Sequence, residues 1–228
     1  MRIPHDLMHG VGRLSARRQL ALPIHRLRRA RHNPRMIKIL SVNVARVAVR
    51  LIDGQAVHTA HDKRPATGPV KVGPLGLEGD EQADPTVHGG LSKAIYAYPV
   101  LHYPVWQTMR EQAKVAQPGE VLAHGALGEN LTLQGLDESG MWVGDRWRLP
   151  GCELAVSEPR KPCFKFNAAM GFAHASKMMV QSGFCGGYLA VMQPGYLQAG
   201  DEIEIIPGPR EVNLRELFLA KMKGRRNL

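Results

Sequence analysis

Beyond the breaker Pro118-Gly119 the sequence is divided at short intervals by turn-forming residues, and that punctuation constrains the fold more than any other feature. Gly135, Gly144-Asp145, Pro150-Gly151, Pro194-Gly195 and Gly200-Asp201 separate apolar runs at 130–133, 147–149, 153–157, 188–192 and 202–206. Runs this short, bounded by residues that favour tight turns, read as strands of a barrel or sandwich. Upstream, residues 37–52 (IKILSVNVARVAVRLI) are rich in β-branched side chains with partial alternation and read as one or two strands. A polar stretch follows to Gly68, then an extended piece at 69–77 and a short strand at 94–97. Residues 99–114 read as a helix, with Pro99 in the first turn and Leu101, Val105 and Met109 on one face. Further helices are expected at 173–182 and, ending in basic residues, at 212–222. The class is mainly β (α+β), a barrel-like domain with two or three flanking helices.

No uninterrupted apolar stretch reaches the roughly 18 residues needed to cross a bilayer, so no membrane span is expected. The three cysteines, Cys152, Cys163 and Cys185, include no C-x-x-C pair, which argues against a disulfide scaffold or a structural zinc site and suits a reducing cytoplasm. The formal net charge of +10 suggests nucleic acid until it is located. Residues 1–35 hold nine arginines, no lysine and one acid, Asp6, which leaves only +2 for the rest of the chain. That leader is compatible with a transit segment, a nucleic-acid or membrane-surface arm, or sequence upstream of a true start at Met36. The last is preferred, and the segment is expected to be poorly ordered. Residues 36–209 then form the main domain, and 210–228 a C-terminal helix. Aromatics make up only 6% of the chain and no basic stripe is interleaved with them, so a stacking platform for nucleic acid is not expected.

Three constellations carry candidate chemistry. Cys163 sits in Ser157-Glu-Pro-Arg160-Lys161-Pro162-Cys163-Phe-Lys165, at the end of an expected strand, between stiffening prolines and among three cations. Cations beside a thiol favour its thiolate form, the nucleophile and soft metal ligand. The second is Gly73-Pro-Leu-Gly76-Leu-Glu-Gly79-Asp80, followed by Val87-His88-Gly89-Gly90-Leu91-Ser92-Lys93. It is neither a P-loop nor a dinucleotide fingerprint, but adjacent glycines let backbone N–H groups converge on an anion, with Lys93 adding charge. A turn-rich connection with a structural histidine is the competing reading. The third is Gly125-Ala-Leu-Gly128-Glu129-Asn130-Leu131-Thr132, where Asn130 offers both a donor and an acceptor, or merely starts a strand. Cys152 and Cys185 read as packing residues.

The order of these motifs, GLEGDEQAD…VHGG, GENLT, VGD and VSEPRKPCFKFN, resembles the MOSC domain, named for the C-terminal domain of molybdenum cofactor sulfurase, and within it the YiiM-like branch. The resemblance spans about residues 42–207. It implies a compact β-barrel with flanking helices whose cleft holds a molybdenum–pterin cofactor, with Cys163 as the protein ligand to molybdenum. By position, Gly89, Gly90, Lys93, Asn130 and Arg160 would hold the cofactor, and His88 and Glu129 are candidates for proton delivery beside Cys163.

The family's chemistry implies reduction of N-hydroxylated compounds, such as hydroxylaminopurines and amidoximes, to amines. No flavin, haem or iron–sulfur signature occurs, so electrons are expected from a separate reductase. Pyridoxal phosphate is not expected, and the chain would act as a monomer or homodimer. A non-catalytic carrier of the cofactor, or of sulfur destined for it, is the alternative. YiiM-like proteins commonly end in a three-helix module, of which only the helix at 212–222 is expected here.

Overall fold

The computed structural model describes residues 36–84 and 89–224. The leader and His88 lie outside the described residues. Thirteen strands are described: β1 (Lys38–Val44), β2 (Ala48–Ile52), β3 (Gln55–Thr59), β4 (Arg64–Pro65), β5 (Val70–Gly73), β6 (Gly76–Leu77), β7 (Ile95–Pro99), β8 (Leu131–Gln134), β9 (Arg146–Arg148), β10 (Glu153–Pro159), β11 (Gly187–Gln193), β12 (Gly195–Leu197) and β13 (Glu204–Ile206). Eight of them form one sheet in the order β13-β9-β10-β11-β7-β8-β1-β4, and β12-β5-β6 make a second, smaller sheet. All pairs in the large sheet are antiparallel except β7 with β8, where Ala97 to Pro99 align with Leu131 to Leu133. A parallel pair needs a crossover. Here it is supplied by a 3-10 turn at Val100–His102, the helix α1 (Tyr103–Gln112) and a long loop.

The expected barrel is not seen as a closed ladder. The sheet is open in strand order, but its ends approach. The segment before β13 bonds to the start of β1, with Ile39 N donating to Asp201 O at 3.0 Å, Gly200 N to Ile39 O at 2.8 Å and Ile203 N to Ile37 O at 2.9 Å. Only one residue pair there, Lys38 with Glu202, qualifies as a bridge.

Two apolar clusters flank the large sheet. One joins it to the smaller sheet through Ile39, Val42, Val72, Leu77, Leu131, Leu154 and Leu197. The other lies under the helices α2 (Phe164–Met170), α3 (Ala175–Ser182) and α4 (Leu214–Gly224), where Tyr98, Trp106, Phe166, Met179 and Phe218 meet. Strand β7 is buried along its whole length because both clusters press on it, and so it lacks the alternation of a half-exposed strand.

Several boundaries depart from the expectation. The segment at 37–52 splits into β1 and β2, and β2 continues through an Asp53-Gly54 turn, both residues at positive φ (51° and 77°), into β3. This is the Asp-Gly signature of a type I′ hairpin inside the stretch read as polar connection. Helix α2 was not expected either. It is seven residues long, too short to show a helical period.

Candidate functional site

The strand order gathers segments far apart in sequence around one cleft. Its lining includes Thr59, His61 and Lys63 from the β3–β4 connection, and Asp80 to Asp84 from the loop after β6. Lys93, Tyr96 from β7, Gly128 and Asn130 ahead of β8, Arg160 and Cys163 beyond β10, Lys165 from α2 and Tyr188 from β11 complete it. The space between these residues, with the open solvent at its mouth included, is about 680 Å³.

Cys163 is the residue before α2, in extended conformation (φ −134°, ψ 175°). Its carbonyl accepts from Phe166 N at 2.9 Å and from the Ser176 hydroxyl at 3.0 Å. The backbone is thus pinned on both sides while the half-buried thiol lines the cleft. Of the three cations expected beside it, Arg160 and Lys165 face the cleft, and Lys161 does not. Lys165 Nζ also donates to His58 O at 2.9 Å, tying α2 to the base of the hairpin.

Arg160 is 6% exposed. Its guanidinium carbon sits 4.9 Å from the Tyr96 ring centre and 5.2 Å from that of Phe166, a cation–π arrangement on two sides. Its charge also acts on the hydroxyl of Tyr188, whose pKa is raised by burial despite that cation. Its Nη2 lies 3.5 Å from His61 Nε2. Nη1 is buried with no partner among the described residues. An unsatisfied guanidinium N–H in a cleft wall costs on the order of 1–3 kcal/mol, a cost an anionic ligand would remove.

The floor is a hydrogen-bonded hub on Asp80. Its Oδ1 accepts from Ala45 N at 2.8 Å and is ion-paired with Lys63, and its Oδ2 accepts from Asn130 Nδ2 at 2.9 Å. Burial lowers the pKa of Lys63, against the pull of Asp80. His61 is held neutral, its pKa lowered to about 3 first by burial and then by the charges of Arg160 and Lys63.

Asn130 lines the cleft, but its side chain is fully engaged. It donates to Asn43 O (3.2 Å) and to Asp80, and accepts from Tyr96 N at 3.0 Å. It therefore pins β7, β1 and the Asp80 loop together, leaving no amide N–H for the edge of a heterocycle. Glu129, its neighbour, is 0% exposed and turned away from the cleft. One oxygen accepts from Tyr103 OH, from Gly125 N (2.8 Å) and from Thr132 Oγ1 (2.8 Å), and the other from Leu127 N (3.1 Å). It organises the loop before β8, so the expected proton-delivery role has no geometric basis. Gly90 N already donates to Gln82 Oε1 at 2.9 Å, and neither Gly89 nor Gly90 is among the cleft-lining residues. Lys93 is there, 4.0 Å from Glu158.

Sequence reasoning missed His61, Lys63, Tyr96 and Tyr188. None lies in a recognisable motif, and they enter the site only through strand pairing. Among the described residues no group of three or more His, Cys, Asp or Glu could hold a bare metal ion. A metal at Cys163 would therefore take its remaining ligands from a cofactor. A soft thiol, an unpartnered buried guanidinium and three lysines in one cleft fit a sulfur-liganded metal carried by an anionic organic group, as the molybdenum–pterin cofactor is.

Comparison with known proteins identifies the family. A family model described as the MOSC domain matches residues 84–204. Protein YflK of Bacillus subtilis (strain 168) is 35% identical over 168 residues, covering 74% of this chain and 72% of that protein. Protein YiiM of Escherichia coli (strain K12) is 37% identical over 143 residues, 62% of this chain and 61% of that one. A protein named Reductase from Gibberella moniliformis is 31% identical over 172 residues, 75% of this chain but only 29% of its own length. The crystal structure of YiiM from Geobacillus stearothermophilus superposes with a TM-score of 0.65 at 28% identity, covering 83% of this chain and 85% of that one. The chain belongs to the MOSC-domain family, and its relatives include YiiM and YflK.

Proposed function

We propose that this chain is a molybdenum–pterin-dependent reductase that converts N-hydroxylated compounds of the hydroxylaminopurine or amidoxime type to amines, with Cys163 the protein ligand to the metal. The observation that carries the reading is the pairing, in one cleft, of the Cys163 thiol with the buried, unpartnered Nη1 of Arg160. Membership of a family associated with the molybdenum cofactor supports it, as does the fungal relative named Reductase.

Bound there, the cofactor would supply two-electron reduction chemistry. The chain's own groups do the rest. Cys163 offers a soft ligand on a backbone fixed by Phe166 N and Ser176. Arg160, supported by Tyr96 and Phe166, meets the cofactor's negative charge, and Lys93 adds a second cation. The Asp80 hub with Lys63 and Asn130 keeps the floor rigid.

Cleaving the N–O bond consumes two electrons and two protons and releases the amine and water. The electrons would come from a separate reductase, and the protons from cleft-lining N–H groups or water. We place the reaction in the cytoplasm, in keeping with three free cysteines. No described helix is long and apolar enough to cross a membrane.

The test is the molybdenum and pterin content of protein from a cofactor-competent host, wild type beside Cys163→Ala, followed by reduction of a hydroxylaminopurine with an artificial electron donor. Near-stoichiometric molybdenum in the wild type, depleted in the variant, with amine formed, is expected. Equal metal in both would remove Cys163 as ligand. Metal without turnover would leave a carrier role.

A further inference from the structure

His61 faces the cleft in a setting built around its ring. Gly128, at φ +82°, lies directly against it, and a Cβ there would come within 2.8–3.0 Å of Nε2, Cε1 and Cδ2. Phe166 stands 6.5 Å away, and Thr59 Oγ1 accepts from the His61 backbone N–H at 3.2 Å. Two cations, Arg160 and Lys63, flank the imidazole, and Arg50 lies further out. A third positive charge in their midst is disfavoured, so the ring stays neutral where the protein is folded. A neutral imidazole has one N–H and one lone pair. The guanidinium can only donate, so the lone pair belongs on Nε2, which faces Arg160 Nη2 at 3.5 Å, and the proton on Nδ1.

We propose that His61 is a positioning residue. Its Nε2 lone pair engages Nη2 of Arg160 and, with the ring seated on Gly128, holds the guanidinium so that Nη1 stays aimed at an oxyanion in the cleft. The Tyr96 and Phe166 rings pack against the same group, 4.9 and 5.2 Å from its central carbon. Nη1 is buried and has no hydrogen-bond partner among the described residues. A guanidinium held this way loses little rotamer freedom when the anion arrives, which is how preorganisation becomes affinity. The inference draws on the proposed function only for the identity of the anion as a cofactor phosphate. The seat itself is a property of the apoprotein.

The experiment titrates inorganic phosphate into the full chain, produced without cofactor, by calorimetry. Arg160→Gln is expected to abolish saturable binding. His61→Leu, which fills similar space but accepts nothing, is expected to weaken it about tenfold, whereas His61→Gln, which restores an acceptor, stays within about threefold of wild type. Gly128→Ala displaces the ring and should match His61→Leu, and the double variant should be no worse than either single. That second route keeps the test decisive should His61→Leu fold poorly. Wild-type affinity in His61→Leu, equal weakness in His61→Gln and His61→Leu, or absence of phosphate binding by the wild type would each overturn the proposal. None of these results depends on metal content, so failure here is separable from failure of the reductase reading.

Discussion

Replacing Glu129 by Gln tests whether a buried carboxyl beside the cleft is a structural organiser with a raised pKa. The native carboxyl accepts from four donors, three on one oxygen and Leu127 N on the other. In the variant the amide oxygen can keep the three-donor side. Its NH2 group then meets the Leu127 N–H, and two donors face each other. The expected loss is about 1–3 kcal/mol where the wild-type group is protonated.

The pH dependence gives the sharper test. Burial, the largest influence, raises the Glu129 pKa above its ordinary 4.5 despite the four donors. The native state therefore holds this proton more tightly than the unfolded chain does. The stability it contributes is complete below the ordinary value and is lost as pH rises through the native one, with a slope of at most about 1.4 kcal/mol per pH unit. Glu129→Gln lacks that titration, so the stability gap between wild type and variant should shrink as pH rises from about 4.5. Urea unfolding followed by tryptophan fluorescence across that range, at unchanged m-value, measures the gap directly. A gap that widens with pH would refute the reasoning, because it would mean that the four donors outweigh burial and that the carboxylate is stabilised by the fold.

Two further perturbations address the framework. Asp145, fully buried, accepts from Gly208 N at 2.7 Å and from Arg210 at 3.2 and 3.0 Å, and Arg210 itself sits at φ 53°. Asp145→Ala should cost about 1–3 kcal/mol in chemical denaturation, because the Gly208 N–H loses its acceptor while Arg210 can turn to solvent. Arg210→Ala should cost at least as much, because it takes the cation from a fully buried carboxylate. Trp106→Phe removes the Nε1 bond to Tyr98 OH (2.6 Å) and an edge contact with Phe166 at 5.3 Å, for about 2–3 kcal/mol. Because Phe166 supports Arg160, it should also lower metal content after mild heating, read by elemental analysis.

The strands after residue 118 were legible because turn residues mark their ends. The barrel was less so. Closure depends on whether the segment at 200–203 forms a full ladder with β1, and it forms hydrogen bonds but only one bridge. Local pattern carries no information on that. The Asp53-Gly54 signal was present in the sequence and outweighed by the polar residues around it, and α2 was hidden by its brevity.

The site shows a sharper division. Cys163, Arg160 and Lys93 were readable because cations cluster near a lone thiol and a glycine-rich turn within a few residues of chain. Adjacent positions in GENLT could not be told apart. Gly128 and Asn130 face the cleft while Glu129 between them is sealed beneath it, a consequence of donors arriving from Tyr103, Gly125, Leu127 and Thr132 that no spacing rule announces. His61 is the complementary case. It stands in an unremarkable polar stretch, yet strand pairing sets it between two cations and against a glycine that leaves room for its ring. Motifs in this chain mark Lys93, Arg160 and Cys163, which line the cleft. The groups that aim them come from segments brought together only by the sheet, so variants at motif positions should remove binding outright, whereas variants at His61 or Gly128 should weaken it in a way that an acceptor restores.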